Sequence, residues 1–298
     1  MNRFLLVLLA LSLSSFVLLT DYGFINKPAP FHLEADYRQV ASAKFSTKEV
    51  RGDHLRYADG EASAYYSYFL NKENALVGQL GYYYNKVDWQ NNPFFTGSHY
   101  NYGIASLAWV STALERWRWI LAFSNSVDLH TFNWGQSGIY YGLMWGRYAV
   151  RHNIGIHVGW YGWVGVENDY LFPVLGIDYQ PTPRWQINAI FPIDASITYF
   201  FGHNWGLRAA YANFGRPYRM PHRMHGGKGA YHDGIFAINS SGVELDLRYN
   251  WSDHLFLLIG GGYNTGGWIQ VQNRKGNHKH YDNFDGAPYG VARITGSF

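Results

Sequence analysis

No cysteine occurs anywhere in the 298 residues, so neither a disulfide framework nor a lipid-modified N-terminal cysteine is available. Charge is scarce as well. Lys and Arg number 24 against 21 Asp and Glu, together 15% of the chain, and the formal net charge of +3 is too weak to imply a nucleic-acid partner. Past Leu19 no uninterrupted apolar run approaches the roughly 20 residues that a membrane-spanning helix needs. Mean hydropathy is slightly negative at −0.24, so a polytopic helical membrane protein is excluded. Disorder is excluded by the opposite property, since 47% of the side chains are apolar and 19% aromatic. Against only 10 prolines stand 33 glycines, 25 tyrosines and 12 tryptophans, which argues for many extended segments with aromatic ends.

Met1, Asn2 and Arg3 precede the apolar run Phe4 to Leu19, the pattern of a secretory signal with a positive start. Residues 1–20 are read as that signal, with cleavage expected at Thr20/Asp21, and residues 21–298 as a single domain.

From Phe31 onward the dominant period is two. In Trp117 to His130, one face carries Trp117, Trp119, Leu121, Phe123, Val127 and Leu129. The other carries Arg118, Ala122, Ser124, Ser126, Asp128 and His130, with Ile120 as its one large apolar member. Val243, Leu245, Leu247 and Tyr249 oppose Glu244, Asp246 and Arg248 in the same way, and Leu33, Ala35 and Tyr37 oppose Glu34, Asp36 and Arg38. Connections alternate in length. Short ones fall at Asn71 to Asn74, Ala113 to Arg116, Arg151 to Asn153, Pro181 to Arg184, Gly202 to Asn204 and Trp251 to Asp253. Longer ones lie between most of them, at Ser46 to Gly60, Trp89 to Ser98, Thr131 to Ser137, Gly165 to Phe172, Gly215 to Ile235 and Gly267 to Asp285. Short periplasmic turns alternating with longer outer loops belong to an all-β, antiparallel up-and-down transmembrane β-barrel, whose sheet must close because hydrocarbon leaves no unpaired edge. The tally is 14 strands, with 12 as the alternative, because the Pro-rich stretch Pro173 to Pro192 yields strands of only about 7 residues. Aromatic clusters at Tyr82 to Tyr84, Trp117, Trp119, Trp160, Trp163, Trp185 and Tyr199 to Phe201 are expected to form interfacial girdles.

The last segment, Gly290 to Phe298, alternates up to a terminal aromatic residue. It resembles the C-terminal signature by which Gram-negative outer-membrane barrels are recognised by their assembly machinery, and that resemblance implies Phe298 as the assembly signal. The stretch Pro173-Val-Leu-Gly-Ile-Asp-Tyr through Pro181, Trp185 and Phe191-Pro192 to Thr198-Tyr199 is similar to part of an uncharacterised outer-membrane β-barrel family, which implies a barrel and no particular activity. In size the chain is also similar to monomeric 14-stranded porins.

Catalytic patterns are absent: there is no GxxxxGK[ST], HExxH or GxSxG, and nothing calls for a cofactor. Gly260 to Gly262 lies within an alternating segment and reads as a close-packed bend in the wall. Asp128 and His130, two apart on one strand, are similar to half of the site in outer-membrane aspartate–histidine proteases. Glu244 and Asp246 are the only carboxylate pair offered as the other half, so a hydrolase is the third-ranked reading. The inward parity collects Glu34, Asp36, Arg38, Arg118, His157, Asp178, Arg208, Glu244, Asp246, Arg248 and Arg293, and closure would bring Arg293 to Glu34 or Asp36. Charges of both signs across a lumen order passing ions and dipolar solutes; the same charges can instead form a salt-bridged plug.

Two outer loops carry the basic residues Arg216, Arg219, Arg223, Lys228, Arg274, Lys275 and Lys279, which suit lipopolysaccharide phosphates or another anion. His222, His225 and His232, with the nearby methionines, are weak candidates for copper or zinc. The reading is an outer-membrane barrel acting as a passive pore for small hydrophilic solutes. The alternative is a non-conducting barrel whose basic loops bind lipopolysaccharide or an outside partner.

Overall fold

A computed structural model describes residues 30–298 apart from 96–97, 131, 167–168, 220–233, 253 and 274–278. The signal read at 1–20 therefore lies outside the described residues, as do Arg223, Lys228, Arg274, Lys275 and the three candidate metal ligands His222, His225 and His232.

Period-two segments become strands throughout: β1 (Phe31–Lys44), β2 (His54–Phe69), β3 (Asn74–Trp89), β4 (His99–Ser111), β5 (Trp117–Asp128), β6 (Ile139–Arg151), β7 (Ile154–Val164), β8 (Tyr170–Thr182), β9 (Trp185–Phe191), β10 (Asp194–Phe200), β11 (Trp205–Phe214), β12 (Pro217–Arg219), β13 (Ile235–Ser252), β14 (Leu255–Gln272), β15 (His280–Phe284) and β16 (Ala287–Ser297). All 16 belong to one antiparallel sheet. β12 and β15 are short additions to β13 and β14, and the other 14 run in chain order until β16 pairs with β1 and closes the wall. The count is fourteen rather than twelve. The two seven-residue strands β9 and β10 are genuine members, paired from Asp194↔Ile190 to Tyr199↔Trp185.

Phe31 and Phe298 lie together at one end, the terminal end, where they exchange backbone hydrogen bonds of 3.2 and 2.8 Å. The six short turns read from the sequence share that end. Some of the opposite connections are shorter than their sequence reading, because strands project past the expected boundaries. β2 begins at His54, so Leu55 to Asp59 is wall rather than loop, and β14 runs to Gln272.

The outer face is apolar. Leu80, Leu107, Leu121, Phe123, Leu171, Leu245 and Ile259 are each more than half exposed, as expected where lipid replaces water. Val127 departs from its parity; it is buried, just beyond the last β5–β6 pair, Ser126↔Ile139. At the terminal end an aromatic girdle is built from ring pairs: Trp117–Trp119 at 5.0 Å, Trp185–Tyr199 at 4.7 Å and Trp205–Tyr249 at 4.4 Å. Tyr83 and Trp163, which the sequence reading placed in the girdles, point inward and are buried.

The wall is uneven in height. β8 pairs with β9 only up to Leu175↔Phe191 and β10 with β11 only up to Ser196↔Ala210, so Tyr170 to Val174 and Tyr211 to Phe214 rise above the short β9–β10 hairpin, with no strand paired to them on that side among the described residues. One carbonyl of that raised β11 segment, Asn213 O, accepts a 3.2 Å hydrogen bond from Arg38 Nη1 on β1, across the interior.

Candidate functional site

The interior is the candidate site, and it is not uniformly polar. Toward the outer end an aromatic cluster fills it: Tyr57, Tyr83, Trp89, Phe94, Phe95, Tyr100, Phe214, Tyr218 and Phe236 are all buried within one apolar group. The polar lumen expected from parity thus applies to the central belt only. Chain order explains the stopper. After β11 a turn at Gly215, with φ +95°, starts the short β12, which stays paired with β13. Its Tyr218 meets the far wall: the ring lies 4.7 Å from Tyr100, and its hydroxyl is 3.1 Å from that of Tyr83. The backbone N–H of Arg219 donates to Tyr102 Oη at 3.3 Å.

Arg216 locks this arrangement. It was expected in a solvated basic loop, yet it is only 4% exposed, its Nη2 is 3.3 Å from Glu61 Oε2, and its guanidinium sits 3.9 Å over the Tyr83 ring. A positive outer corner built from seven side chains is corrected to that extent. Arg216 is an interior ion-pair partner, Arg219 lies on β12, and among the described members of the set only Lys279 stands exposed outside a strand.

Beneath the stopper lies a belt of charge on β1, β2, β10, β11, β13 and β16. Arg208 is gripped by Glu244 at 2.8 Å, Asp246 at 2.9 Å and Asp194 at 3.6 Å. Arg293 reaches Glu34 at 3.5 Å, across the closing β1–β16 seam. Arg38 lies 3.9 Å from Asp59 and over the Phe214 ring at 4.6 Å. Room for this belt comes from the glycine run on β14. A Cβ at Gly260 would collide with the Asp246 carboxylate and the Leu245 carbonyl, and one at Gly262 with Tyr289 and the Val243 carbonyl.

A second node occupies β6 to β8. Arg147 grips Asp178 in a fork, Nε to Oδ2 at 2.6 Å and Nη2 to Oδ1 at 2.7 Å. His157 Nε2 is 2.6 Å from the same carboxylate, and Trp145 Nε1 donates to His157 Nδ1 at 3.0 Å. Because the indole can only donate, it fixes Nδ1 as the acceptor and leaves the ring proton on Nε2, facing Asp178. Arg118 borders this node, whereas Arg248 lies nearer the terminal rim, 4.6 Å over Phe256.

Three cavities string these features together. A vestibule of about 450 Å³ opens at the terminal end between Pro183 and His203. Asp178 and Asn188 separate it from a pocket of about 30 Å³, which Asp194 separates in turn from a central chamber of about 100 Å³ beneath the stopper. Four carboxylates (Asp36, Asp59, Asp194, Glu244) and four guanidiniums (Arg38, Arg208, Arg216, Arg293) border that chamber.

The hydrolase half-site does not assemble. Asp128 Oδ1 accepts the backbone N–H of His130 at 2.8 Å, a turn cap, and His130 is exposed. Glu244 and Asp246 are committed to Arg208. No group of metal-ligating side chains occurs among the described residues.

Sequence reasoning missed Arg147, Asp59, Glu61 and Asp194. Arg147 shares its face with Tyr141, Leu143 and Trp145, all buried, so inward polarity gave no signal there. Asp59 and Glu61 fell at or beside the expected loop end, and Asp194 at the hairpin turn.

A closed 14-strand wall, apolar outside and charged within, decides the architecture. The chain has the fold of an outer-membrane β-barrel. No family model matches it. In sequence it is similar to an uncharacterised protein of Chlamydia trachomatis serovar D, 24% identical over 257 residues that cover 82% of this chain and 79% of the relative. It is also similar to an uncharacterised protein of Chlamydia pneumoniae, 22% identical over 269 residues covering 85% and 82%. Among solved structures it is similar to an outer membrane channel from Pseudomonas putida F1, with TM-score 0.49, 11% identity and 91% and 97% of the two chains covered. A mutant of the TodX monoaromatic hydrocarbon channel gives TM-score 0.48, 8% identity and 92% of each chain. The KdgM porin in complex with oligogalacturonate gives 0.35, 10% identity and coverage of 89% and 99%.

Proposed function

We propose that the chain is an outer-membrane pore for small hydrophilic solutes, resting with its outer end closed. The observation that supports this most is the row of cavities. It leads from an open vestibule, past Asp178 and Asn188 and then Asp194, to a charged chamber beneath the β12 stopper, which meets the far wall through side chains and a backbone N–H donated to Tyr102 rather than through a continuous sheet. A wall that served only to hold shape would have no need of aligned voids between buried ion pairs, since unfilled interior volume costs stability. Movement of β12 away from Tyr83 and Tyr102 would join chamber and exterior through a passage lined on one side by charge, which favours ions and dipolar solutes over apolar ones.

The competing reading is a permanently sealed barrel, and the size of the aromatic stopper is what favours it. Efflux from liposomes holding the refolded chain separates the two. Glycine and other solutes of that size should leave faster than from protein-free vesicles, and much faster when Tyr218 is replaced by Ala. No efflux through a folded, heat-modifiable Tyr218→Ala barrel would overturn the pore.

A further inference from the structure

We infer that the central chamber is a binding site for a small zwitterion, a molecule bearing one carboxylate and one ammonium group on a short carbon frame. The inference rests on the pore reading for its biological use, naming the solute class, but not for its physical basis.

Size comes first. At about 100 Å³ the chamber far exceeds the roughly 10–15 Å³ that one water needs by the same measure, yet it is too small for a sugar ring with its hydroxyls. Charge comes second. Its lining presents both signs, four carboxylates and four guanidiniums, so an ion of one sign entering it would leave the other set of groups unmet, whereas a dipolar molecule of zero net charge can meet both.

Unsatisfied groups come third. Among the described residues Asp59, 91% buried, has an Oδ1 that accepts no hydrogen bond, Arg38 Nε donates none, and neither Tyr211 Oη nor Asn213 Oδ1 has a partner, while Arg293 Nε is held only by the ion pair with Glu34 at 3.5 Å. All five residues border the chamber. Buried polar atoms left unpaired are costly, and here a donor on Arg38, beside the loosely held Arg293, faces the same chamber as two acceptors on Asp59 and Asn213. A carboxylate held by Arg38 and Arg293, with an ammonium held by Asp59 and Asn213, would satisfy them together. The remaining guanidiniums are already engaged. Arg208 has three carboxylates and Arg216 has Glu61 and Tyr83, so they fix the walls rather than take the solute.

Titration calorimetry on the refolded chain in detergent micelles tests this, with glycine, acetate, methylammonium and glycerol as probes. Glycine should bind saturably, and the other three at least about tenfold more weakly, because each leaves one set of buried partners unmet. Asp59→Asn should weaken glycine by a similar factor while leaving the heat-modifiable shift intact. If that variant fails to fold, the four-probe series on the unmodified chain still decides. Absence of saturable glycine binding, or glycerol binding as tightly as glycine, overturns the site and leaves water as its occupant. Binding in micelles is independent of flux. Glycine bound without passage in liposomes would refute the pore alone, and passage without saturable binding would refute the site alone.

Discussion

Replacing Asp178 by Ala is the perturbation whose cost the interior fixes most tightly. The side chain is 3% exposed and serves two cationic or proton-donating partners at once, the Arg147 fork at 2.6 and 2.7 Å and His157 Nε2 at 2.6 Å. Arg147 is itself only 12% exposed and would lose the carboxylate that it grips with two hydrogen bonds inside the wall. Removing one member of such a pair costs about 3–5 kcal/mol, chiefly through the stranded partner rather than the lost bond. It follows that stripping both should cost far less, so Asp178→Leu combined with Arg147→Leu is expected within about 1–2 kcal/mol of the parent. Urea unfolding in lipid vesicles, followed by tryptophan fluorescence, measures both. Asp178 also separates the vestibule from the next pocket, so the single variant should admit water deeper into the lumen. A single-variant loss below about 1 kcal/mol, or a double variant as damaged as the single, would refute the reasoning.

Other perturbations bear on the wall. Leu245 is 55% exposed on the lipid side of β13, and Leu245→Arg should lower stability in vesicles by about 2–4 kcal/mol if that row lies near the bilayer centre; Leu245→Met, measured alongside, should cost little. Gly260→Val should cost about 1–3 kcal/mol by forcing Asp246 off Arg208, again read by urea unfolding, whereas Gly142→Ala, which faces open space, should be tolerated. Trp145→Phe removes the donor to His157 Nδ1 while Asp178 still holds the proton on Nε2, so the Nδ1 resonance should shift and the Nε2 resonance should stay that of a protonated nitrogen.

Much of the architecture was legible because lipid and lumen impose opposite demands on alternate residues. β5 and β13 gave their faces directly, and closure followed from the absence of any tolerable sheet edge. Glu34, Asp36 and Arg293 were placed together by that closure alone, and the structure sets Asp36 opposite Arg293 in register. What could not be read was the filling of the outer half. Tyr57, Tyr83, Tyr102 and Tyr218 obey the same periodicity whether they line water or pack against one another, and only three-dimensional proximity distinguishes the two. Arg216 misled for a related reason: a basic residue beside a glycine in a long connection looks solvated, until the chain folds back and delivers it to Glu61. The two buried nodes share that difficulty, since Arg147, His157 and Asp178 lie on three successive strands with no local spacing to link them.

A pore of this kind requires the β12 stopper to be a closed gate over the row of lumen cavities. Single-channel recording of the refolded chain in a planar bilayer, beside Arg216→Ala, addresses that directly. Loss of a desolvated cation–π contact and a charged hydrogen bond removes about 2–4 kcal/mol of latching, so the variant should be open at least about tenfold more often than a mostly silent parent. A parent that conducts steadily, or a folded Arg216→Ala barrel as silent as the parent, would contradict it.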